Sequence, residues 1–269
     1  MHATASERDQ SPSRDKPLYS AQRQQAILNT LATAGRVDVA ATAERLAVTS
    51  ETVRKDLITL ERQGLLRRVH GGAIPAQGLS FEPDVSARVE YADEKRRIAE
   101  AAVAHLPQAG TILIDAGSTT DRLADLIPAD RQLTVFTNTL PIALALANKP
   151  NITVYTLGGR VRSRTLAEVD NWAARTLSEI NVDVAFLGTN GISLDRGLTT
   201  PDPAEAAIKH LMIGCARRRI LLSDHSKIGH VSTYKYGDLA DVDLLITDTG
   251  VPGGDETALR TAGLTLETT

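Results

Sequence analysis

The stretch whose reading decides the fold is Thr111–Thr120, TILIDAGSTT. Ile112 to Asp115 reads as a buried strand that ends in a carboxylate, Gly117 gives the backbone freedom for a tight turn, and Ser118 is placed to cap the helix that follows. A strand, a glycine turn and a helix N-terminus make a corner that gathers unpaired backbone N–H groups and the positive end of a helix dipole. The hydroxyls of Ser118, Thr119 and Thr120 add donors that suit phosphate oxygens. Two readings of these residues stand side by side: the phosphate seat of a small-ligand pocket, or a turn that needs only a glycine and a cap.

From this corner towards the C-terminus the chain alternates strand and helix. Val- and Ile-rich runs predict strands at 111–115, 133–137, 152–157, 182–187, 219–223 and 243–247, with helices near 118–127, 140–147, 168–180 and 203–217. That order implies a mainly parallel α/β sheet buried on both faces. In open sheets of this kind ligands sit beyond the C-terminal strand ends. There the sequence has Asp115-Ala116-Gly117-Ser118, Thr137-Asn138, Gly158-Gly159-Arg160, Gly188-Thr189-Asn190-Gly191 and Asp224-His225-Ser226-Lys227. One crevice is expected to collect them all, with Lys227 as its cation.

Each of these positions also has a local reading. Thr137-Asn138 could serve only to cap the helix opened by Pro141, and Gly158-Gly159 could be only a turn, with Arg162 and Arg164 on the surface. Glu205 and Lys209, four apart on a helix, read first as a structural salt bridge between surface residues. His225 reads as a packed or hydrogen-bonded loop residue, Trp172 as core, and Cys215 as a buried small residue. Asp93 to Leu106 is an amphipathic helix with Ile98, Ala102 and Leu106 inward, and its opening charges Glu94, Lys95, Arg96 and Arg97 read as solvated surface.

Towards the N-terminus, Ile74 to Val85 has two prolines, a glycine and no period, and reads as a linker. Before it lie a helix over Ser20–Thr33, a second over Ala40–Leu46, and a third that Thr49 caps and Gly64 ends: a helix-turn-helix. Val53, Leu57 and Leu60 share one face of the third helix and must pack inward. That leaves Glu51, Lys55 and Arg62 opposite, with Thr52 and Arg54 on the flanks, where a recognition helix meets base edges and phosphates. Leu65 to Gly72 is a short basic extended segment ending in a glycine turn. It reads as a wing, with Arg67 and Arg68 at the phosphate backbone. The competing reading is an interaction module whose charges are a solvated face.

Charge supports the division. Residues 1–75 hold 11 Lys and Arg against 8 Asp and Glu, whereas residues 76–269 hold 19 against 25, so a basic head precedes an acidic body. The expected organisation is a disordered tail over 1–17, a winged helix-turn-helix over 18–75, a linker over 76–92 and a ligand-binding domain over 93–269. A single cysteine rules out a disulfide framework or a cysteine-based zinc site within one chain. With no apolar leader and no run fit to span a bilayer, the chain is expected to be a soluble, cytoplasmic protein.

The string Val48-Thr49-Ser50-Glu51-Thr52-Val53-Arg54-Lys55-Asp56-Leu57, followed by Leu60-Glu61, Gly64 and Arg67-Arg68-Val69-His70-Gly71-Gly72-Ala73, resembles the signature of the DeoR family of bacterial sugar-metabolism regulators. Thr49 stands where the family usually has Ser, and Lys55 where it has a second Arg. Thr still caps; Lys keeps the charge but gives up a bidentate contact. The body is similar to the sensor domain that accompanies this head, through Asp115 to Thr120, Thr137-Asn138, Leu157-Gly158-Gly159, Gly197 to Thr200, Glu205, Lys209 and Asp224 to Lys227. Together the resemblance covers roughly residues 20 to 250, and the strings Val182–Ser193 and Thr199–Glu205 look most like actinobacterial members tied to fructose-type operons.

The resemblance implies a body related in fold to ribose-5-phosphate isomerase and a homo-oligomeric repressor, dimer or tetramer, of a carbohydrate operon. It implies double-stranded operator DNA and a phosphorylated sugar as partners, with no cofactor, metal or membrane. It places DNA contacts at Thr49, Ser50, Glu51, Thr52, Arg54, Lys55, Arg67, Arg68, His70 and Gly71. Effector contacts fall at Asp115, Gly117, Ser118, Thr119, Thr120, Thr137, Asn138, Gly158, Gly159, Asn190, Glu205, Lys209 and Lys227. The alternative is a sugar-phosphate isomerase with an accessory DNA-binding head. The related isomerases place acidic residues after the strand ending Phe186-Leu187, where this chain has Gly188-Thr189-Asn190-Gly191. Amides and hydroxyls hold sugar hydroxyls but cannot act as a general base at neutral pH, so a binding protein rather than an enzyme is expected. Asp115, Glu205 and Asp224 remain as candidate bases.

Overall fold

The structure is a computed structural model that describes residues 19–62, 65–69, 71–75, 79, 80, 82, 85, 88 and 90–269, with the side chains of 32, 33 and 62 left aside. The expected tail, the Gly64 stop, the outward-facing Arg62 side chain, His70 and much of the linker lie outside the described residues. The chain divides into two compact units, one of residues 1–31 and 36–76, the other of residues 32–35 and 77–269.

The first unit is three helices and a small sheet: α1 (Ser20–Ala34), β1 (Val37–Asp38), α2 (Val39–Arg45), α3 (Ser50–Arg62), β2 (Leu66–Val69) and β3 (Gly72–Pro75). Ile27 and Leu31 from α1, Ala43 from α2, and Val53, Leu57 and Leu60 from α3 recur at helical spacing and form one core with Val37, Leu66 and Ala73. Asp38 caps α2 by accepting from the Ala41 amide at 2.9 Å. Asp56, 4% exposed, is buried on the inner side of α3, where Arg23 Nε of α1 donates to it at 2.8 Å. β2 and β3 form an antiparallel hairpin whose other neighbour is β1, the sheet of a winged helix. Gly72 is required there: a Cβ at this position would lie 1.9 Å from the Val37 carbonyl oxygen.

The second unit is built on seven parallel strands in the order β15-β14-β12-β9-β4-β5-β6. These are β4 (Ala109–Ile114), β5 (Gln132–Thr137), β6 (Ile152–Thr156), β9 (Val182–Leu187), β12 (Ala216–Leu222), β14 (Leu244–Thr247) and β15 (Leu266–Thr268). Strand alternation sorts the side chains. Ile112, Ile114, Val184, Phe186, Ile220, Leu222, Leu244 and Ile246 face α4 (Ala92–Val103), α5 (Thr120–Leu126) and α6 (Leu140–Leu146). Leu113, Ala185, Leu187, Leu221 and Leu245 face α7 (Asn171–Glu179), α8 (Pro203–Gly214) and α9 (Gly253–Thr261). Burial on both faces is why these strands read as continuous apolar runs. Two smaller elements decorate the C-terminal edge of the sheet: a hairpin of β7 (Arg160–Val161) with β8 (Glu168–Val169), and an antiparallel sheet of β10 (Gly191–Ser193), β11 (Gly197–Thr200) and β13 (Tyr234–Gly237).

Chain order along the sheet reverses between β4 and β9: β5 and β6 continue to one side, β12, β14 and β15 to the other. A crevice opens at such a reversal. Three local expectations need correction. Trp172 is 78% exposed, because the inward face of α7 is carried by Ala173 and Leu177. Ser118 does not cap α5; Thr119 holds the N-cap position without a side-chain bond, and the helix starts at Thr120. Lys95 is 4% exposed, sharing the inward face of α4 with Ile98, Ala99 and Ala102. Cys215 is buried, and burial pushes its thiol up to about 11.

Candidate functional site

A hollow lies beyond the C-terminal ends of β4, β9 and β12, at the point where strand order reverses. Ala116 to Thr120 form one side of it, Gly188 to Asn190 another, and Ser223, Asp224 and Lys227 a third. Glu205 and Lys209 reach it from α8, Thr165 from the β7–β8 hairpin, and Val85, Arg88, Glu90, Tyr91 and Lys95 from the segment before α4 and from α4 itself.

Asp115 lies fully buried beneath the floor, where its Oδ2 accepts from the Gly188 amide at 3.0 Å and from Lys209 Nζ. Lys209 also donates to the Gly188 carbonyl at 3.0 Å and lies 5.7 Å from the ring centroid of Tyr236. Burial alone would lower the Lys209 pKa, but Asp115, Tyr236 and Glu205 around it hold the ammonium above the usual lysine range. Burial pushes the Asp115 carboxyl above its usual range while Lys209 beside it pulls the other way, and the pair cross-links α8 to β4 and β9. Tyr236 is itself pushed up to about 12 by burial and stays a neutral phenol, donating to the Gly188 carbonyl at 3.2 Å.

Glu205 and Lys209 do not pair with each other. Both are buried, and Glu205 instead accepts from Arg162 and from the Thr165 hydroxyl. Arg162, expected on the surface, has a side chain only 10% exposed, and Arg164 donates to the Glu82 carbonyl. Thr137 and Asn138 are buried supports of the corner rather than part of the lining: Thr137 Oγ1 donates to the Ile114 carbonyl and Asn138 Oδ1 accepts from the Ala116 amide, each at 2.8 Å. Gly158 and Gly159 are outside this hollow, bordering a shallow depression with Arg160, Asp170 and Trp172. The single crevice expected for all strand ends thus gathers the ends of β4, β9 and β12 and leaves out those of β5 and β6. His225 is a hydrogen-bonded loop residue, its backbone amide and Nδ1 both engaging Asp248, at 2.8 and 2.7 Å.

Lys95 is a pocket residue that the sequence reading placed on the surface. Its Nζ donates to the carbonyls of Arg88 at 3.0 Å and Glu90 at 2.8 Å, and burial lowers its pKa to about 8 against the opposing charge of Asp224. A signal existed: Lys95, Ile98, Ala99 and Ala102 follow the helical repeat of the buried face. Lys227 lines the same hollow, and no carboxylate among the described residues ion-pairs with its ammonium. Within one cavity the chain thus assembles buried cations, short hydroxyl side chains, and amide and carboxylate acceptors. Such a set suits a ligand that carries both an anionic group and neutral hydroxyls. Each candidate base has one carboxylate oxygen engaged: Asp115 Oδ2 by Gly188 and Lys209, Glu205 Oε1 by Arg162 and Thr165, and Asp224 Oδ1 by the Ser226 amide and hydroxyl. Asp115 Oδ1 is buried without a hydrogen-bond partner among the described residues.

In the first unit the residues expected at DNA surround the start of α3. Thr49 caps it, its Oγ1 accepting from the Thr52 amide at 3.1 Å, and the two hydroxyls lie 2.9 Å apart. Ser50 and Thr52 are half-buried, while Glu51, Arg54 and Lys55 are exposed, with Arg54 Nη1 3.5 Å from Glu51. On the hairpin Arg67 is exposed, and Gly71 turns with φ of 76°. Arg68 is held by Glu61, Nε to Oε2 at 2.6 Å, and this arginine keeps the Glu61 carboxyl below its usual range.

Comparison with known proteins agrees with both units. Residues 23–77 match the family described as DeoR-like helix-turn-helix domain, and residues 90–249 match the DeoR C terminal sensor domain. The chain is 34% identical over 250 residues to the HTH-type transcriptional regulator GlpR of Haloferax volcanii, covering 93% of this chain and 98% of that protein. It is 33% identical over 232 residues to the HTH-type transcriptional repressor GlcR of Bacillus subtilis, covering 86% and 89%. Among solved structures, ribose 5 phosphate isomerase A from Neisseria gonorrhoeae is similar at a TM-score of 0.37 and 18% identity, over 51% of this chain and 53% of that one.

Proposed function

The chain belongs to the DeoR family of DNA-binding transcriptional regulators, and from that premise we propose that it represses a carbohydrate-utilisation operon in the cytoplasm. A phosphorylated sugar bound at the strand ends of the second unit modulates its hold on DNA. The observation that carries the effector reading is the meeting of Lys95, Lys209 and Lys227, from three distant parts of the sequence, around Ser118 and Thr119. The phosphate sits between Lys95 and Lys227 against the amides and hydroxyls of Ser118 and Thr119. The sugar hydroxyls reach Asn190, Glu205 and Lys209. The isomerase alternative is set aside, since the relatives are transcriptional regulators and the strand end after Leu187 carries Gly188-Thr189-Asn190 in place of a carboxylate.

On DNA, α3 enters the major groove with Thr49, Ser50, Glu51, Thr52, Arg54 and Lys55 near bases and phosphates, and Arg67 and Arg68 follow the backbone from the wing. A homo-oligomer pairs such heads on repeated half-sites, so modest single-head affinities multiply. Effector binding changes operator affinity by about 5–150-fold, the usual range of a coupling free energy.

Gel shifts with duplexes enriched from a random pool test both halves, with and without fructose 1-phosphate, fructose 6-phosphate or ribose 5-phosphate. Lys227→Ala is expected to keep DNA binding and blunt the response to sugar phosphate. Arg54→Ala is expected to weaken DNA binding while the sugar phosphate still raises the melting temperature. A Lys227→Ala protein that responds like the wild type defeats the effector assignment, and full affinity in Arg54→Ala defeats the DNA one.

A further inference from the structure

The segment that leads into α4 is fastened to the second unit by a buried charge bridge, and the far end of that bridge stands in the pocket. Arg162, at the end of β7, directs its guanidinium at three carboxylates: Glu82 Oε2 at 2.8 Å, Asp202 Oδ2 at 3.1 Å and Glu205. Glu82 belongs to the connecting segment, its side chain is 3% exposed, and it also accepts from Arg88 at 3.0 Å. Glu205 and its second donor Thr165 both line the pocket. The same hairpin grips the segment twice more, Arg164 donating to the Glu82 carbonyl and the Val85 amide donating to the Arg164 carbonyl at 2.7 Å.

The segment's other end is held as firmly. Lys95 takes the carbonyls of Arg88 and Glu90. Tyr91 turns the chain into α4 with φ of 56°, a conformation costly for an aromatic residue, and packs edge-on against His225 with ring centroids 4.8 Å apart. Lys95 of the pocket thus holds one end of the connection, and the β7–β8 hairpin, whose Thr165 lines the pocket, holds Glu82 and Val85.

We infer that Arg162 is a positioning residue that couples the effector pocket to the connection with the DNA-binding unit, by sharing one guanidinium between Glu82 of the connection and Glu205 of the pocket. This rests on the effector reading above. The physical basis is competition among acceptors in a poorly solvated site, where hydrogen bonds to charge are strong and a change at one is felt by the others. A sugar hydroxyl donated to Glu205 satisfies part of that carboxylate's demand, and Arg162 moves its share towards Glu82 and Asp202. The hold on the connection then differs between the empty and the occupied pocket, the differential contact that an allosteric response requires.

The test uses the full chain in two variants. Glu82→Gln removes the charge from the connection while keeping an acceptor, and Arg162→Lys keeps the charge but not a fork able to serve three carboxylates. Operator affinity is measured with and without fructose 1-phosphate, fructose 6-phosphate and ribose 5-phosphate, and sugar-phosphate affinity by calorimetry. In the wild type the ratio of operator affinities is expected to be about 5 or more. In both variants it is expected to fall below about 2, while sugar-phosphate affinity stays within about threefold, a split that a merely structural role would not produce. A wild-type ratio in either folded variant overturns the inference. If none of the three sugar phosphates binds the wild type, the effector reading has failed by itself. The bridge is then judged without ligand: Glu82→Gln must speed amide exchange at Val85 about tenfold and shift operator affinity about fivefold, and unchanged operator affinity overturns it.

Discussion

Lys95 carries a charge that titrates close to neutrality. Its ammonium is present below about 8 and is lost as pH rises through that value, whereas a phosphate monoester keeps its charge from pH 7 to 9. An anion held by Lys95 is therefore released on the alkaline side, and the affinity for sugar phosphate is expected to fall up to about tenfold between pH 7 and pH 9. Calorimetric titration across that range checks it. In Lys95→Arg, whose charge does not titrate there, the slope is expected to vanish. Trp172 makes the opposite case, a large apolar side chain with little to lose: at 78% exposure, Trp172→Ala is expected to change thermal stability by less than about 0.5 kcal/mol. A loss above about 2 kcal/mol in a melting experiment would mean that this tryptophan is covered in solution.

At the scale of the element, two positions in the first unit are expected to answer differently to the same small change. Thr49→Ala removes the cap of α3 and should cost about 1 kcal/mol of stability in that unit. Gly72→Ala drives a methyl group into the Val37 carbonyl and should cost about 1–3 kcal/mol, together with the ordered wing. Chemical denaturation of each variant gives the comparison. Elements with a strong period were legible in the sequence: the runs at Ile112–Ile114, Val184–Leu187 and Leu244–Ile246 are apolar because both faces of the sheet are covered. The three-residue strand at Gly191, the β7–β8 hairpin and β15 were not, since they are short and owe their pairing to residues far along the chain. Individual partners in the site were hidden for the same reason. A local rule paired Glu205 with Lys209 four residues on, but the partner of Lys209 is Asp115, 94 residues away, and only the tertiary fold brings them together. Lys95 is masked by the charged run Glu94 to Arg97, although it shares the buried face of α4 with Ile98 and Ala102.

For the whole molecule, binding and folding are joined. A sugar phosphate at about 100 times its dissociation constant is expected to stabilise the second unit by about 2.7 kcal/mol, a rise of about 5–10 °C in melting temperature, in a scan of the intact chain. The three lysines of the pocket come from α4, from α8 and from the turn after β12, elements that meet only when the seven strands are in register. No fragment lacking one of those elements keeps the full set of charges. Ligand affinity therefore reports on the completeness of the body, and a chain cut anywhere between Lys95 and Lys227 would be expected to lose its metabolic sense at once rather than by degrees.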